Sequence, residues 1–218
     1  MRRTGIMNTE KLTGDLTNWP AFCANAPQSG TALFGFKLPI GDVNRFRARH
    51  RVAKCFRGIE LEEYGEATTA GYSALCRVMF VWSAFETFLQ INGIKPRDVK
   101  KVASDLEKHG SKKILSQIQR IDKGEKFYRF IDERVNQTHK DQLADYFKGN
   151  PCNIAYLASA IRHIFAHGWL SPNANEVSPK VVVEICDVLS DFLLTFMDAE
   201  FSRHVHVFSE KMAGSPSV

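Results

Sequence analysis

The sequence lacks a long uncharged apolar run, a signal-like start and any paired cysteine motif. No apolar run approaches the roughly 18–20 residues that cross a bilayer. The basic start Met1-Arg2-Arg3 leads into polar residues rather than an apolar segment. The five cysteines are odd in number, widely spaced and form no C-x-x-C pair. These absences argue against a membrane-spanning or disulfide-stabilised secreted protein and predict a cytoplasmic one without a membrane partner.

The composition is otherwise that of a globular protein. With 218 residues, of which 44% are hydrophobic and 24% charged, the chain is long enough to bury one full core. The net charge of +5 would suit a polyanionic partner. However, the seven basic residues between Lys37 and Arg57 are followed directly by four glutamates between Glu60 and Glu66. This pattern favours a neutralised, solvated surface over a nucleic acid-binding stripe.

Apolar periodicity predicts an all-α fold, an antiparallel helical bundle, over residues 67–208. An N-terminal extension, 1–66, precedes the bundle, and a disordered tail, 209–218, follows it. Turn-forming residues mark 1–41 as an irregular arm with a short strand near Ala32–Lys37.

Local signals place the ends of the main helices. Asp42 is expected to cap a helix that reaches Arg57, although alternating apolar residues there would equally fit a strand. The apolar residues between Thr69 and Ile91 cover most of a helix circumference, which predicts a central buried helix. Asn150-Pro151 and Ser178-Pro179 are each expected to open a helix, because both pair a capping residue with a first-turn proline.

One segment combines residues that suit phosphate chemistry. Residues Arg162–His167 read Arg-His-Ile-Phe-Ala-His and precede Gly168, which is placed to end the helix. An arginine carries a permanent planar cation that matches phosphate oxygens, and a histidine titrates near neutrality and can transfer protons. RNA carries its own nucleophile, the ribose 2′-hydroxyl, beside each phosphate. An arginine and a histidine are therefore sufficient in principle for RNA cleavage without a metal ion.

Helix geometry sets a condition on this segment. Five residues of a regular helix rotate by roughly 500°, which leaves Arg162 and His167 about 140° apart. The two side chains converge only if the helix opens at 166–168 or if a second copy of the chain completes the site. A two-fold dimer that pairs these helices would bring two arginines and two histidines into one cleft.

The segment resembles the R-x4-6-H motif of the HEPN superfamily of small helical bundles. Arg162 matches the motif arginine, His163 its polar position, where an asparagine is more usual, and His167 its histidine. Residues Val81–Leu89 look like an early HEPN helix that carries one acid, and the resemblance covers about residues 68–205. It implies a homodimer with the motif in a shared cleft. Active members of the family are metal-independent endoribonucleases in defence and RNA processing.

Glu86 is a further candidate site residue, because it is the one acid in an otherwise apolar helical segment. A carboxylate in such a position needs a partner or access to water. We expect it to pair with Arg77 or with a polar residue of a neighbouring helix, or to orient Arg162 or His167 in the cleft.

Simpler interpretations of the motif stay open. Cations are favoured near the C terminus of a helix by the macrodipole, with Gly168 as the cap. His163 and His167 also form an H-x3-H pair, but the glutamate of zinc metalloproteases and a third ligand are missing. The residues therefore predict neither a metal ion nor another cofactor.

The sequence thus leads to three hypotheses. The first is a homodimeric endoribonuclease in which Arg162 binds phosphate, His167 is the general acid or base, and His163 supports them. The second is a catalytically inactive module of the same kind that binds RNA, a nucleotide or a protein. The third is a purely structural helical dimer.

Overall fold

The computed structural model describes residues 13–173 and 177–213, and within these ranges every regular element is helical. The helices are α1 (Trp19–Ser29), α2 (Ile40–Cys55), α3 (Glu66–Ile91), α4 (Ala103–Lys108), α5 (Ser111–Ile121), α6 (Lys126–Asp132), α7 (Gln137–Phe147), α8 (Ile154–Ala166) and α9 (Pro179–Ala213). Short 3-10 turns occupy Thr31–Phe34, Pro96–Val102 and Lys123–Glu125. The predicted all-α class is therefore confirmed.

The strand predicted near Ala32–Lys37 is wrong. Residues Thr31–Phe34 form a 3-10 turn, and the left-handed Gly35 (φ 86°) closes it by donating its N–H to the Ala32 carbonyl oxygen at 2.9 Å. The strand alternative for the next segment is also wrong. The predicted helix forms there as α2, and it begins two residues before Asp42 because Pro39 fixes the preceding turn.

The irregular arm predicted for 1–41 is wrong at Trp19–Ser29, where α1 forms. Residues 1–12 of the arm lie outside the described part of the chain. Pro20, one of the turn-forming residues of this arm, occupies the first turn of α1, where no backbone donor is needed. The rings of Trp19 and Phe22 lie 6.1 and 5.5 Å from the ring of Phe201 on α9. The N-terminal segment therefore shares one hydrophobic core with the bundle.

The centre of the fold is α3, which packs against α2, α8 and α9. Trp82, Phe85 and Phe88 are buried on it, as the sequence predicts for core residues. By length and composition α3 is also the one helix among the described residues that could cross a membrane, and this corrects the expectation that no run is long enough. More than half of its apolar window is buried inside the protein, as in the core helix of a globular fold.

Both predicted proline-capped starts can be compared with the structure. The start of α9 at Pro179 is confirmed, whereas α8 begins at Ile154 rather than at Asn150-Pro151. Asn153 is the actual cap, because its side-chain oxygen accepts the N–H of Ala155 at 3.0 Å. The disordered tail predicted for 209–218 is wrong at 209–213, where α9 continues, and residues 214–218 lie outside the described part.

Candidate active site at the end of helix α8

Helix α8 forms because an apolar face runs along its whole length. The buried residues of this face are Ile154, Ala155, Leu157, Ala158, Ala160, Ile161 and Ile164. Near its end, the ring of Phe165 lies 6.5 Å from that of Tyr72, close to the start of α3. The C-terminal turn of α8 therefore lies at an edge of the bundle, with Arg162 and His163 partly buried and His167 exposed.

The helix ends where the motif requires it to end. His167 is the cap residue, and Gly168 adopts a left-handed conformation with φ 73°. The Trp169 N–H donates to the Ile164 carbonyl oxygen and the Gly168 N–H to that of Phe165, both at 3.0 Å. This pair of bonds is a Schellman motif, which satisfies the last carbonyls of a helix. The predicted stop at Gly168 is confirmed.

Arg162 carries a cation that the described residues leave without a hydrogen bond or an ion pair. It lies one residue after Ile161, which is fully buried, so the stem of its side chain begins at the edge of the core. None of the five N–H donors of its guanidinium is therefore taken up within the described part of the chain.

The structure adds a histidine of α7 to the two of the motif. The His163 ring lies 4.6 Å from the His167 ring and 5.9 Å from the His139 ring, which is nearly parallel to it at 21°. His139 is held on both ring nitrogens, by Asn136 Oδ1 at 2.9 Å and by Ser159 Oγ at 3.0 Å. Three imidazoles therefore form a continuous row from the interior to the surface.

The inner two imidazoles of this row favour the neutral form. Burial, followed by repulsion from His163, lowers the pKa of His139 to about 4. Burial likewise lowers the pKa of His163, and repulsion from His167 and Arg162 lowers it further. His163 therefore lies within electrostatic reach of both the cation and the outer histidine. Its lowered pKa favours the neutral imidazole at physiological pH.

Trp169 extends the row on the outer side. Its ring lies 5.6 Å from the His167 ring at an interplanar angle of 30°, and 55% of the residue is exposed. The other two tryptophans, Trp19 and Trp82, are almost fully buried. An indole is thus displayed at the surface directly beside the proposed acid–base histidine.

Glu86 lies away from the other candidate residues. It accepts a hydrogen bond at 2.8 Å from the indole Nε1 of Trp82, one turn earlier in α3. The expected pairing with Arg77 is wrong, because Arg77 binds two aspartates of α9. Tyr72, which contacts the end of α8 through Phe165, precedes Glu86 by fourteen residues, or about 21 Å of helix. Within one chain, Glu86 is therefore not brought to Arg162 or His167.

The histidine row is not arranged as a metal centre. Over 13–173 and 177–213 no group of three or more histidine, cysteine or acidic side chains has the geometry to hold an ion. The near-parallel packing of His139 on His163 is a ring contact, and both nitrogens of His139 already have protein partners. The residues present therefore offer acid–base and anion-binding chemistry.

Sequence reasoning missed His139 and Trp169. His139 precedes His163 by 24 residues, and no local spacing links a histidine of one helix to a histidine of the next. Trp169 did have a signal, since an aromatic residue directly after a helix-ending glycine emerges at the same helix end as the motif. The position was visible in the sequence, but its exposure was not.

The end of α8 thus presents a cation, two motif histidines and an exposed indole within eight residues, 162–169. Comparison of the chain with models of known families, with characterised proteins and with solved structures gave no match.

Proposed function

We propose that this chain is a metal-independent endoribonuclease of the HEPN type that acts as a homodimer. The observation that carries the proposal is that one helix end holds both the Arg162 guanidinium, which no described residue binds, and the exposed residue His167. A guanidinium without a carboxylate partner is suited to an external phosphate. An imidazole at the same helix end is suited to general acid–base catalysis.

In the proposed reaction, Arg162 binds the non-bridging oxygens of the scissile phosphate and stabilises the charge that develops on them. His167 accepts the proton of the ribose 2′-hydroxyl, and the 2′-oxygen attacks phosphorus. The bond from phosphorus to the 5′-oxygen breaks, and that oxygen takes a proton from a second, protonated histidine. The products are a 2′,3′-cyclic phosphate and a 5′-hydroxyl.

A homodimer accounts for the second histidine. His163 is a poor proton donor, because its lowered pKa keeps it neutral, so its role is to support Arg162 and His167 by hydrogen bonding. The same His167 from a second copy supplies the proton if the two α8 ends meet across a two-fold axis. Around the axis of one regular helix, Arg162 and His167 are about 140° apart. In a dimer, the arginine of one copy can instead act together with the histidine of the other.

The test is cleavage of a mixed RNA by purified protein in EDTA, beside Arg162→Ala and His167→Ala. We expect 2′,3′-cyclic phosphate ends from the intact protein and a loss of roughly 100-fold or more in either variant. RNA in which every 2′-hydroxyl is replaced by hydrogen is the control and stays intact. Equal cleavage by all three proteins indicates contamination. RNA binding without cleavage supports the alternative, a catalytically inactive RNA- or nucleotide-binding module.

The shared cleft has its own test, because the proposed reaction takes one His167 from each copy. In a mixed dimer of wild-type and His167→Ala chains, only one His167 remains for the two proton transfers. We expect such mixed dimers to be as inactive as His167→Ala itself, so that an excess of His167→Ala chain suppresses cleavage by the wild type. Mixed dimers that keep half of the wild-type activity would place each whole site within one chain.

A further inference from the structure

Trp169 differs from the other two tryptophans in being displayed to solvent. It is 55% exposed, whereas Trp19 and Trp82 are 1% and 4% exposed. An indole offers a large apolar face, and leaving that face in water forgoes the free energy of burying it. The exposed face is therefore available to a ligand.

The backbone holds Trp169 in a fixed place. Its N–H is bound to the Ile164 carbonyl oxygen at 3.0 Å, and the next residue, Leu170, is 97% buried. Two residues further on, Pro172 packs so closely on Gly71 of α3 that an added Cβ at Gly71 would lie 2.5 Å from the proline Cβ. The indole is thus presented by a segment anchored on both sides. A ligand that stacks on it has little ordering cost to overcome.

The surroundings of the indole favour a nucleotide over an apolar partner. Its ring neighbour is the His167 imidazole, and the residues before it in the chain, 166–168, are exposed and small or polar. Arg162 lies in α8 seven residues before Trp169, with no internal partner in the described ranges. A stacking ring and a cation in one region are the combination by which proteins bind single-stranded nucleic acid.

We propose that Trp169 stacks on an unpaired nucleobase of the RNA, preferably a purine, next to the phosphate held by Arg162. This inference rests on the proposed ribonuclease function and adds to it the residue that determines specificity. Stacking requires an open base face, which a duplex conceals, so the site takes single-stranded segments. A purine is favoured because its two fused rings cover more of the indole than a single pyrimidine ring does.

The test is binding of an uncleavable single-stranded oligonucleotide, all-2′-deoxy oligoadenylate, followed by tryptophan fluorescence. Lacking the 2′-hydroxyl, it binds without being cut, so the measurement does not depend on catalysis. We expect quenching of the solvent-exposed emission of Trp169, with the buried emission of Trp19 and Trp82 unchanged. Oligothymidylate is expected to bind more weakly, and a duplex of the same strands is expected not to quench.

The matched variants are Trp169→Leu, which keeps an apolar side chain without a ring, and Trp169→Phe, which keeps a smaller ring. By fluorescence anisotropy of a dye-labelled strand, which does not need Trp169 as the reporter, we expect roughly ten- to a hundredfold weaker oligoadenylate binding in Trp169→Leu and partial recovery in Trp169→Phe. Circular dichroism checks that both variants fold.

Several outcomes overturn the inference. They are equal affinity in Trp169→Leu, equal quenching by the duplex, and an indole that acrylamide cannot reach because a second copy covers it. Each of these can occur while the protein still cleaves RNA, which leaves the proposed function standing. Conversely, quenching by oligoadenylate in a protein that never cleaves RNA supports the stacking site and contradicts the ribonuclease.

Discussion

Arg77 and Arg162 lie on neighbouring helices, α3 and α8, and their regions treat a guanidinium in opposite ways. At the crossing of α3 and α9, Arg77 binds Asp187 at 2.9 Å and Asp191 at 2.6 Å. A cleft of about 400 Å³ opens beside it. At the end of α8 no described residue binds Arg162. The cation that lines this cleft is therefore neutralised, whereas no described residue neutralises the cation at the end of α8.

The two arginines thus differ in whether carboxylates neutralise them. A cleft beside an arginine does not by itself make that arginine a candidate functional residue. Hydrogen bonding and attraction to the two aspartates raise the pKa of Arg77 despite its partial burial. Its ion pairs join two long helices of the core. The region around Arg162 instead contains ring contacts among His139, His163, His167 and Trp169, and no described carboxylate binds Arg162 there.

Replacing each arginine separately by alanine is the strongest test of this difference between the two regions. We expect Arg162→Ala to lower RNA cleavage by roughly 100- to 1000-fold, because a donor to the developing phosphate charge is lost. Its melting temperature should stay close to that of the wild type. The slope of the logarithm of RNA affinity against that of salt concentration should fall by about one.

Arg77→Ala is the matched control for this prediction. It leaves two aspartates one turn apart on α9 without their cation, so we expect a loss of about 1 kcal/mol of stability in these largely solvated pairs. Cleavage by the folded variant should be close to that of the wild type. A variant Arg77→Ala that folds but no longer cleaves would place the functional cation in the wrong region.

The pH dependence of stability is a second property in which the two regions should differ. His139 has a folded-state pKa of about 4 against an unfolded value near 6.5, so the unfolded chain binds more protons between these values. Its contribution lowers the free energy of unfolding as the pH falls from 6.5 to 4, by at most about 3 kcal/mol. We expect His139→Gln to flatten this dependence in urea denaturation series at several pH values.

Arg77→Ala again serves as the reference for that series, since its region contains no imidazole partner and Arg77 stays charged throughout. It should keep the wild-type pH dependence from 6.5 to 4 at a uniformly lower stability. An unchanged slope in His139→Gln would show that His139 is not held neutral in the row.

The last prediction concerns the end of α8 itself. Gly168 has φ 73° and no atom within 4 Å of an added Cβ, so Gly168→Ala costs only backbone strain, about 1–2 kcal/mol. We expect a lower urea midpoint and weaker cleavage, because the strain shifts His167 and Trp169. Gly41→Ala in α2, where φ is not positive and space is open, is the control and should be neutral. A Gly168→Ala protein as stable as Gly41→Ala would contradict the observed helix end.

Much of the fold could be predicted because its signals are local. The buried helix α3, the start of α9 at Pro179 and the helix stop at Gly168 each follow from a few adjacent residues. Helix α1 could not be predicted from local signals, because its prolines are typical of turns and its apolar pattern is short. Its aromatic contacts with α9 are long-range and leave no local signal. The cap of α8 was misassigned because Asn150 and Asn153 have equal capping ability.

The candidate site divides in the same way. The sequence alone determined the segment Arg162–His167 and the glycine that ends its helix, because a glycine in the left-handed region stops a helix wherever it stands. Only the tertiary structure decided that α7 places His139 on His163 and that Trp169 stays in water. It also decided that two aspartates bind Arg77, whereas no carboxylate of the described residues binds Arg162. These outcomes depend on which helices meet, and that is set by packing across long stretches of chain rather than by the spacing of neighbouring residues.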